Sequence, residues 1–400
     1  MNSPVDVLIV GAGVVGFSIG SALLEAKPGL KVTVIDKEPL LGVHASGRNS
    51  GVLHAGFYYS PDSLKAKFCR EGNDELKSLC QRHRIPVEST GKVVVARDEE
   101  ENSRLDGLFQ RGTTNGVDLE LLEESELFRL EPLARTHERF LWSPNTAISD
   151  PKQVIAAMRN DFQSRGGVVI LAKEIKFERT IDGLTVDGNP ATVYVNAAGA
   201  QSDRLARRVG LARDYAMVPF MGVYRSISRE RLPIRRLVYP VPHPVNPFLG
   251  VHFTLTLDNK VKIGPTAIPI LGREQYSLTK GWSVSDSIQA LKASVALVKG
   301  EAHNFSQLVK SELPKLLQSN LIRESSSLVP EATSVKGWKK RPPGIRSQLV
   351  NLKTGRLEQD FIVDTFANSV HVLNAVSPGW TSSIPFGRWV AQEKVLKLLT

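Results

Sequence analysis

The chain has few of the residues that build redox or metal sites. Among its 400 residues are only two cysteines, Cys69 and Cys80, and they form no CxxC pair. This spacing argues against a redox dithiol and against the common zinc and iron–sulfur motifs. We therefore predict no metal and expect both thiols to line the core.

Long hydrophobic runs are also missing. No apolar run approaches the roughly 20 residues that a membrane-spanning helix needs. An apolar strand is already predicted from residue 5, so we expect no signal or transit peptide. The sequence thus predicts a cytoplasmic protein, or one bound peripherally to the inner membrane from the cytosol.

The chain has fewer acidic than basic residues. The chain has 51 lysines and arginines against 41 aspartates and glutamates, a net charge of +10. Basic residues are dense over 204–236 and 336–356. Such an excess favours an acidic small molecule or an anionic membrane surface as partner, although a solvated basic face would give the same count. No nucleic-acid-binding module is recognisable, so no nucleic-acid partner is predicted.

The first 36 residues have the pattern of a dinucleotide site. An apolar strand over 5–10 runs into a GxGxxG turn, a helix follows, and a second strand ends on an acid. The first glycine allows the tight turn, the second lets the backbone approach a pyrophosphate, and the third lets helix and strand pack closely. The helix N-terminus attracts the phosphates, and the acid accepts hydrogen bonds from the adenosine ribose. These residues are Gly11, Gly13, Gly16 and Asp36.

The nucleotide-binding pattern continues in later parts of the chain. Residues 193–196 lead as a strand into a helix, and residues 370–374 and 377–399 give a last strand, turn and helix. Residues 217–264 alternate as in an antiparallel sheet. The predicted fold is a Rossmann-like α/β domain with an inserted α+β antiparallel-sheet domain. The nucleotide-binding domain comprises 1–90, 150–212 and 341–400, and the substrate-binding domain comprises 91–149 and 213–340.

Two local features of this organisation are predicted with their boundaries. Residues 41–59 form a long loop rich in Gly, Ser, His and Asn, which is typical of a functional segment. Ser60-Pro61-Asp62 predicts the start of a helix, with Ser60 as its cap and Pro61 in its first turn.

Both NAD and FAD use such a turn, and the rest of the chain favours FAD. The second nucleotide-binding half is interrupted, and no second GxGxxG exists for a separate nicotinamide site. The helix after Ser377 can direct the positive end of its dipole at the pyrimidine edge of a flavin, where negative charge builds up on reduction.

The segment from His44 to Tyr59, HASGRNSGVLHAGFYY, resembles the signature of the L-2-hydroxyglutarate dehydrogenases. These are FAD enzymes of the D-amino-acid oxidase and glycine oxidase superfamily. The resemblance resumes at 63–69, 196–199, 249–254, 264–265, 344–348 and 373–378, and it is weakest over 265–340. It implies the glutathione-reductase-type flavin fold and FAD as cofactor.

The resemblance also implies the chemistry. The α-hydrogen of a 2-hydroxy acid leaves as hydride to flavin N5 while a base takes the hydroxyl proton, and either His252 or His54 suits that base. Arg346 is expected to hold the substrate carboxylate, and Tyr58 to line the pocket. The remaining flavin-binding candidates are His44, Ser46, Arg48, Asn49, Ser50, Ile175, Ala197, Gly199, Ser377, Gly379 and Thr381.

The expected reaction converts L-2-hydroxyglutarate to 2-oxoglutarate and passes electrons to a quinone or another external acceptor. Three alternatives stay open: an amine or amino-acid oxidase of the same superfamily, a dehydrogenase for another 2-hydroxy acid, and a non-catalytic FAD-binding protein.

Overall fold

The computed structural model describes residues 5–180, 183–186, 190–243, 248–277, 279–300 and 305–399. Two large sheets dominate this part of the chain. Their strands alternate along the sequence, so each sheet is assembled from distant segments.

The first large sheet is the six-stranded sheet that follows from the N-terminal pattern. In spatial order its strands are β20 (Ile362–Phe366), β21 (Ser369–Asn374), β12 (Ala191–Asn196), β1 (Val5–Val10), β2 (Val32–Ile35) and β9 (Val168–Ile170). All neighbours are parallel except β20 and β21.

Both faces of this sheet are covered, which explains its unbroken apolar strands. Val7 and Ile9 face one core, whereas Leu8 and Val10 face another, because successive side chains point to opposite faces. The first core is formed with helices α1 (Val14–Ala26), α2 (Leu64–Arg82), α5 (Pro151–Ser164) and α10 (Ser383–Val390). On the other face lie α6 (Ser202–Arg208) and the hairpin of β10 (Phe177–Thr180) and β11 (Gly183–Val186).

The second large sheet has ten strands. They are β19 (Arg356–Leu357), β18 (Lys339–Asn351), β13 (Tyr215–Ser228), β16 (Lys260–Gly264), β15 (His252–Thr256), β14 (Leu237–Pro240), β5 (Lys92–Val95), β7 (Arg139–Ser143) and β6 (Glu120–Glu123), with β17 (Ile268–Pro269) beside β13. Its pairs are antiparallel except β14 with β5, which is parallel.

Five helices and a small sheet complete the molecule. The helices are α3 (Glu99–Thr114), α4 (Glu124–Leu130), α7 (Val284–Lys299), α8 (Phe305–Glu312) and α9 (Gln318–Ser325). Strands β3 (Val52–Leu53), β8 (Ala147–Ser149) and β4 (Val87–Glu88) form a three-stranded sheet. Short helical turns lie at Gly199–Gln201, Leu313–Leu316, Pro330–Thr333, Ala391–Val395 and Leu396–Leu398.

Sheet membership differs from the predicted domain division near residue 341. Strand β18 pairs with β13 from Tyr215 opposite Asn351 to Ser226 opposite Lys339. Residues 341–351 therefore pair with the antiparallel sheet, whereas the sequence predicts that 341–400 lie in the nucleotide-binding domain. The long strand returns along β13 before the chain re-enters the six-stranded sheet.

The start of α2 was predicted wrongly. The helix begins at Leu64, and its cap is Ser63, whose Oγ accepts a hydrogen bond from the Ala66 amide at 3.1 Å. Ser60 lies in the preceding turn, where its carbonyl accepts from the Ser63 amide at 3.0 Å. The carboxylate of Asp360 accepts from the Leu64 amide at 2.8 Å. Asp360 therefore helps to fix the first residue of α2. The sequence near residue 60 gives no indication of this distant contact.

Candidate functional site

A cavity of about 850 Å³ lies where the carboxyl ends of β1 and β2 face the ten-stranded sheet. Such a crevice at the strand ends is where α/β proteins bind ligands. All the predicted site residues line it except Gly16 and Tyr58. The lining ones are Gly11, Gly13, Asp36, His44, Ser46, Arg48, Asn49, Ser50, His54, Ile175, Ala197, Gly199, His252, Arg346, Ser377, Gly379 and Thr381.

The glycine turn lies at one end of the cavity, where the absence of side chains lets a ligand come close to the backbone. Gly11 has φ +113°, and a Cβ there would lie 2.4 Å from the Ala197 carbonyl oxygen. A Cβ on Gly16 would lie 2.0 Å from the Gly11 carbonyl oxygen, so Gly16 packs beneath the turn instead of facing the cavity. Only glycine satisfies both positions.

Polar groups surround the N-terminus of α1. The Ala12 amide donates to Asp36 Oδ2 at 2.7 Å, and the Val14 amide donates to Ser46 Oγ at 3.1 Å. A Cβ on Gly13 would lie 2.9 Å from the same Ser46 oxygen. A narrow cradle of glycine backbone, helix N-terminus and carboxylate fits the diphosphate and ribose of a dinucleotide. The residues present therefore fit FAD.

The loop after β2 is braced by its own side chains. Arg48 Nε donates to the Val43 carbonyl at 2.6 Å, and the guanidinium lies 4.1 Å from the ring centre of Tyr276. Asn49 Nδ2 donates to the carbonyl of Ala45 at 3.1 Å. Arg48 and Asn49 thus hold the loop in shape.

His44 ties this loop to the other side of the cavity. Its Nδ1 lies 2.8 Å from the Tyr276 hydroxyl, and its Nε2 lies 3.0 Å from Glu38 Oε1. Lys37 Nζ lies 2.8 Å from Glu38 and 2.8 Å from Glu274. These contacts join β2 to the segment after β17 across the cavity.

The C-terminal turn positions His54. Thr381 Oγ1 donates to the Val52 carbonyl at 3.2 Å and accepts from the His54 amide at 3.2 Å. Asn73 Nδ2 donates to the His54 carbonyl at 3.1 Å. Both backbone groups of His54 are therefore held, and the residue lines the cavity.

His252 lies on the cavity-facing side of the ten-stranded sheet. In the register of β14 and β15, Val238 pairs with Phe253, which sets Tyr239 beside His252. Their rings stack with centroids 3.8 Å apart at 19°. On the other neighbouring strand, Gly264 pairs with His252 and offers no side chain that would cover the imidazole.

A hydrogen bond fixes the tautomer of His252. Its Nδ1 lies 2.9 Å from the Gly250 carbonyl oxygen. A carbonyl can only accept, so Nδ1 carries the proton, and Nε2 of the neutral ring has a lone pair available. Burial and the cations of Lys92, Lys262 and Arg346 together lower the pKa of His252 to about 3, against the smaller raising effect of the hydrogen bond to Gly250. The ring is therefore neutral at working pH.

His54 is neutral for the same reason. Burial lowers its pKa well below the usual value, and the nearby cations of Lys92 and Arg346 lower it as well. Its Nδ1 is buried and has no hydrogen-bond partner among the described residues. A bound molecule or ordered water would satisfy this nitrogen.

Arg346 supplies the positive charge of this part of the cavity. It pairs with Phe220 across β13 and β18, and its guanidinium lies 4.9 Å from the Phe248 ring centre. No carboxylate of the described residues forms an ion pair with it. Burial lowers the pKa of Arg346, while Tyr224, Tyr59 and Tyr239 raise it. A half-buried guanidinium that faces a cavity and has no anion among the described residues fits a ligand carboxylate.

Tyr58 is not among the residues that line the cavity, and its contact with the substrate stays a prediction. Its ring stands 4.1 Å from that of Phe57 and 4.9 Å from the ammonium of Lys92. Burial raises the pKa of Tyr58 well above its usual value. Its ring belongs to the group of aromatic side chains around the buried ammonium of Lys92.

Sequence reasoning missed Lys92 and Tyr239. Lys92 is fully buried, and its ammonium lies 4.6 Å from the Tyr239 ring centre, with no hydrogen-bond partner among the described residues. Burial lowers its pKa to about 7. A lysine at the first position of a strand is usually exposed to solvent, so the local sequence does not indicate that Lys92 is buried.

Known proteins resemble the chain over its whole length. The family model described as "FAD dependent oxidoreductase" matches residues 6–393. An L-2-hydroxyglutarate dehydrogenase of Caenorhabditis elegans is 36% identical over 98% of this chain and 93% of its own. The enzyme of that name from Escherichia coli K12 is 34% identical over 98% of this chain and 94% of its own.

Solved structures share the fold. An L-α-glycerophosphate oxidase of Mycoplasma pneumoniae with FAD bound superposes with a TM-score of 0.71 at 23% identity, covering 100% of this chain and 95% of that one. A glycine oxidase of Geobacillus kaustophilus gives a TM-score of 0.72 at 20% identity, covering 99% and 95%. With the cavity and its dinucleotide cradle, these matches show that the chain belongs to the FAD-dependent oxidoreductases, in the L-2-hydroxyglutarate dehydrogenase family.

Proposed function

We propose that this protein oxidises L-2-hydroxyglutarate to 2-oxoglutarate with FAD as cofactor. The observation that carries the proposal is that His252, His54 and Arg346 meet in one cavity with the dinucleotide cradle. Gly11, Gly13, Asp36 and Ser46 would hold the FAD diphosphate and adenosine ribose. Bound FAD would accept the α-hydrogen as hydride.

His252 is the proposed base. Its Nδ1–H is engaged by the Gly250 carbonyl, so Nε2 takes the hydroxyl proton. A neutral imidazole is the form that can accept a proton. Arrival of a dianionic substrate raises the proton affinity of the ring, because two negative charges offset the surrounding cations.

Arg346 orients the substrate. The guanidinium would bind the carboxylate next to the reacting carbon through two parallel hydrogen bonds. Its backbone lies in the long β13–β18 pair, so the cation is held by rigid structure. Desolvation in the buried pocket strengthens the attraction between the two charges.

His54 is proposed to position the reacting groups instead of acting as the base. Its backbone is held by Thr381 and Asn73, and its buried Nδ1 faces no protein partner among the described residues. The turn before α10 lines the same cavity with Ser377, Gly379 and Thr381.

The electron acceptor and its location are further parts of the proposal. We infer that electrons leave to a quinone or another external acceptor, and that the enzyme works at the cytosolic face of the inner membrane by peripheral contact. The net charge of +10 supports attraction to anionic lipid. None of the described helices is both long and apolar enough to cross a bilayer.

Anaerobic titration of the purified holoprotein tests the activity. L-2-hydroxyglutarate should bleach the flavin absorbance, the D-enantiomer should leave it unchanged, and 2-oxoglutarate should form in equal amount. Bleaching by glycine or sarcosine alone would assign the protein to the amine oxidases. A flavin inert to every acid and amine tried would make it a non-catalytic FAD-binding protein.

A further inference from the structure

The outer face of helix α7 is apolar and uncovered. Its exposed large side chains recur at intervals of four and three residues, and each is between 44% and 67% exposed. They are Val284, Ile288, Leu291, Val295 and Val298. We call this row the α7 stripe. Five large apolar side chains aligned on one exposed helix face mark an interaction surface.

The helix is anchored from its opposite face. Ala290, Ala293 and Leu297 are buried against the ten-stranded sheet. Near the first turn, Asp286 Oδ1 lies 3.2 Å from the guanidinium Nε of the buried Arg273. These contacts fix the orientation of α7, so the stripe cannot turn inward to cover itself.

The surroundings of the stripe carry positive charge. Lys280, Lys292, Lys299 and Lys310 are exposed. The acids described between residues 271 and 320 are Glu274, Asp286 and Glu312, and each is ion-paired with a basic side chain. Asp286 and Glu312 are also buried. The face is therefore apolar with uncompensated lysines, the composition of a helix that lies on an anionic bilayer.

The stripe is continuous with the mouth of the cavity. Gly281, Trp282, Ser283 and Asp286 line the cavity, and they immediately precede or begin α7. Trp282 is also 57% exposed, and tryptophan favours the headgroup level of a membrane. A bilayer against this face would bring its apolar interior to the entrance of the flavin cavity.

We propose that the α7 stripe, Trp282 and the flanking lysines dock the enzyme on an anionic lipid bilayer. This deepens the proposed function, on which it rests, because an acceptor dissolved in lipid then reaches the cavity without crossing water. A second copy fits the face less well, since two such helices would bring exposed lysines together, and the described part of residues 271–320 has no exposed acid to oppose them.

Vesicle sedimentation of the full-length holoenzyme tests the docking surface. Wild type should sediment with phosphatidylcholine vesicles that contain roughly one third phosphatidylglycerol, and hardly with pure phosphatidylcholine. The double substitution Leu291→Gln with Val295→Gln should lower the partition coefficient by about tenfold or more, because two apolar side chains no longer enter the interface. Lys292→Gln with Lys299→Gln should weaken binding only to the anionic vesicles.

A matched control uses exposed apolar residues elsewhere. Phe128→Gln with Leu257→Gln removes two exposed side chains from other surfaces and should bind as wild type does. Equal sedimentation of the stripe variant and wild type, or no binding by wild type, would overturn the proposal. So would a dimer that the stripe substitutions abolish. Flavin bleaching by L-2-hydroxyglutarate without vesicles is measured on the same preparations, so loss of docking and absence of the proposed activity are separate results.

Discussion

The imidazole of His252 lies flat against the phenol ring of Tyr239, with ring centroids 3.8 Å apart. The ammonium of Lys92 lies 4.6 Å from the centre of the same tyrosine ring. The proposed base is thus part of a packed group that contains a buried cation. Charge and orientation of His252 are therefore set together, by the same neighbours.

Replacing His252 by alanine should slow flavin reduction by on the order of 10²–10⁴-fold while the substrate still binds, because no other group in its place takes the hydroxyl proton. The rate should recover partly at high pH, where solvent removes that proton more easily. Anaerobic stopped-flow bleaching isolates this step from reoxidation.

His54→Ala is the matched comparison. This substitution should shift the absorbance spectrum or the reduction potential of the flavin, and it should slow flavin reduction less than His252→Ala does. A His252→Ala variant that reduces its flavin at the wild-type rate, while His54→Ala cannot, would move the base to the loop that carries His54.

Arg346→Lys should lower kcat/KM by on the order of a hundredfold or more. A lysine keeps the charge but lacks the paired planar donors that hold a carboxylate in one orientation. Such a loss corresponds to about 3 kcal/mol of transition-state binding. Steady-state kinetics with several 2-hydroxy acids measures it. Near-wild-type kcat/KM for all of them would assign the anchor to another residue.

Asp36→Ala should weaken FAD retention with little change in the fold, because the carboxylate lies at the ribose end of the dinucleotide cradle. Flavin occupancy after prolonged dialysis, read from the absorbance ratio, checks this. Glu25→Ala on the exposed end of α1 serves as control and should keep its flavin. Full flavin occupancy in Asp36→Ala would mean that Asp36 does not hold the adenosine ribose.

FAD should be bound without a covalent link to His44. Both ring nitrogens of His44 are already hydrogen-bonded, to Tyr276 and Glu38. Acid precipitation should release the yellow colour into the supernatant. Colour that stays with the protein pellet would mean that one of these contacts is exchanged for a bond to the flavin.

Lys92→Met should stabilise the protein most at neutral pH and below. The pKa of Lys92 falls from its usual value to about 7 in the folded state, so the unfolded chain binds the proton more strongly. Between pH 7 and about 10 the wild type therefore gains stability as pH rises, by about 1.4 kcal/mol per unit from this group.

Urea unfolding at pH 6.5 and 9.5 measures this effect as a difference between variant and wild type. The stability advantage of Lys92→Met should shrink at the higher pH. Lys152→Met, at an exposed position, should show no such trend. A constant advantage at both pH values would mean that folding does not lower the pKa of Lys92.

Local sequence was sufficient to predict the N-terminal part of the nucleotide-binding domain. The glycine turn, the apolar strands and Asp36 lie within 36 residues, and each has a mechanical task that only certain residue types perform. The cap of α5 is equally local, because Asp150 accepts from the Lys152 amide at 2.8 Å and a proline follows in the first turn. The resemblance to a known family supplied His252, His54 and Arg346 as candidates.

Other features depend on contacts between distant segments, and the tertiary structure decided them. The start of α2 is fixed by Asp360, which is 296 residues away from Leu64. Lys92 is a core residue because β5 pairs with β14 and sets its side chain beneath Tyr239. Local patterns record the preferences of neighbouring residues, whereas burial and partner choice follow from how strands align across the sheet.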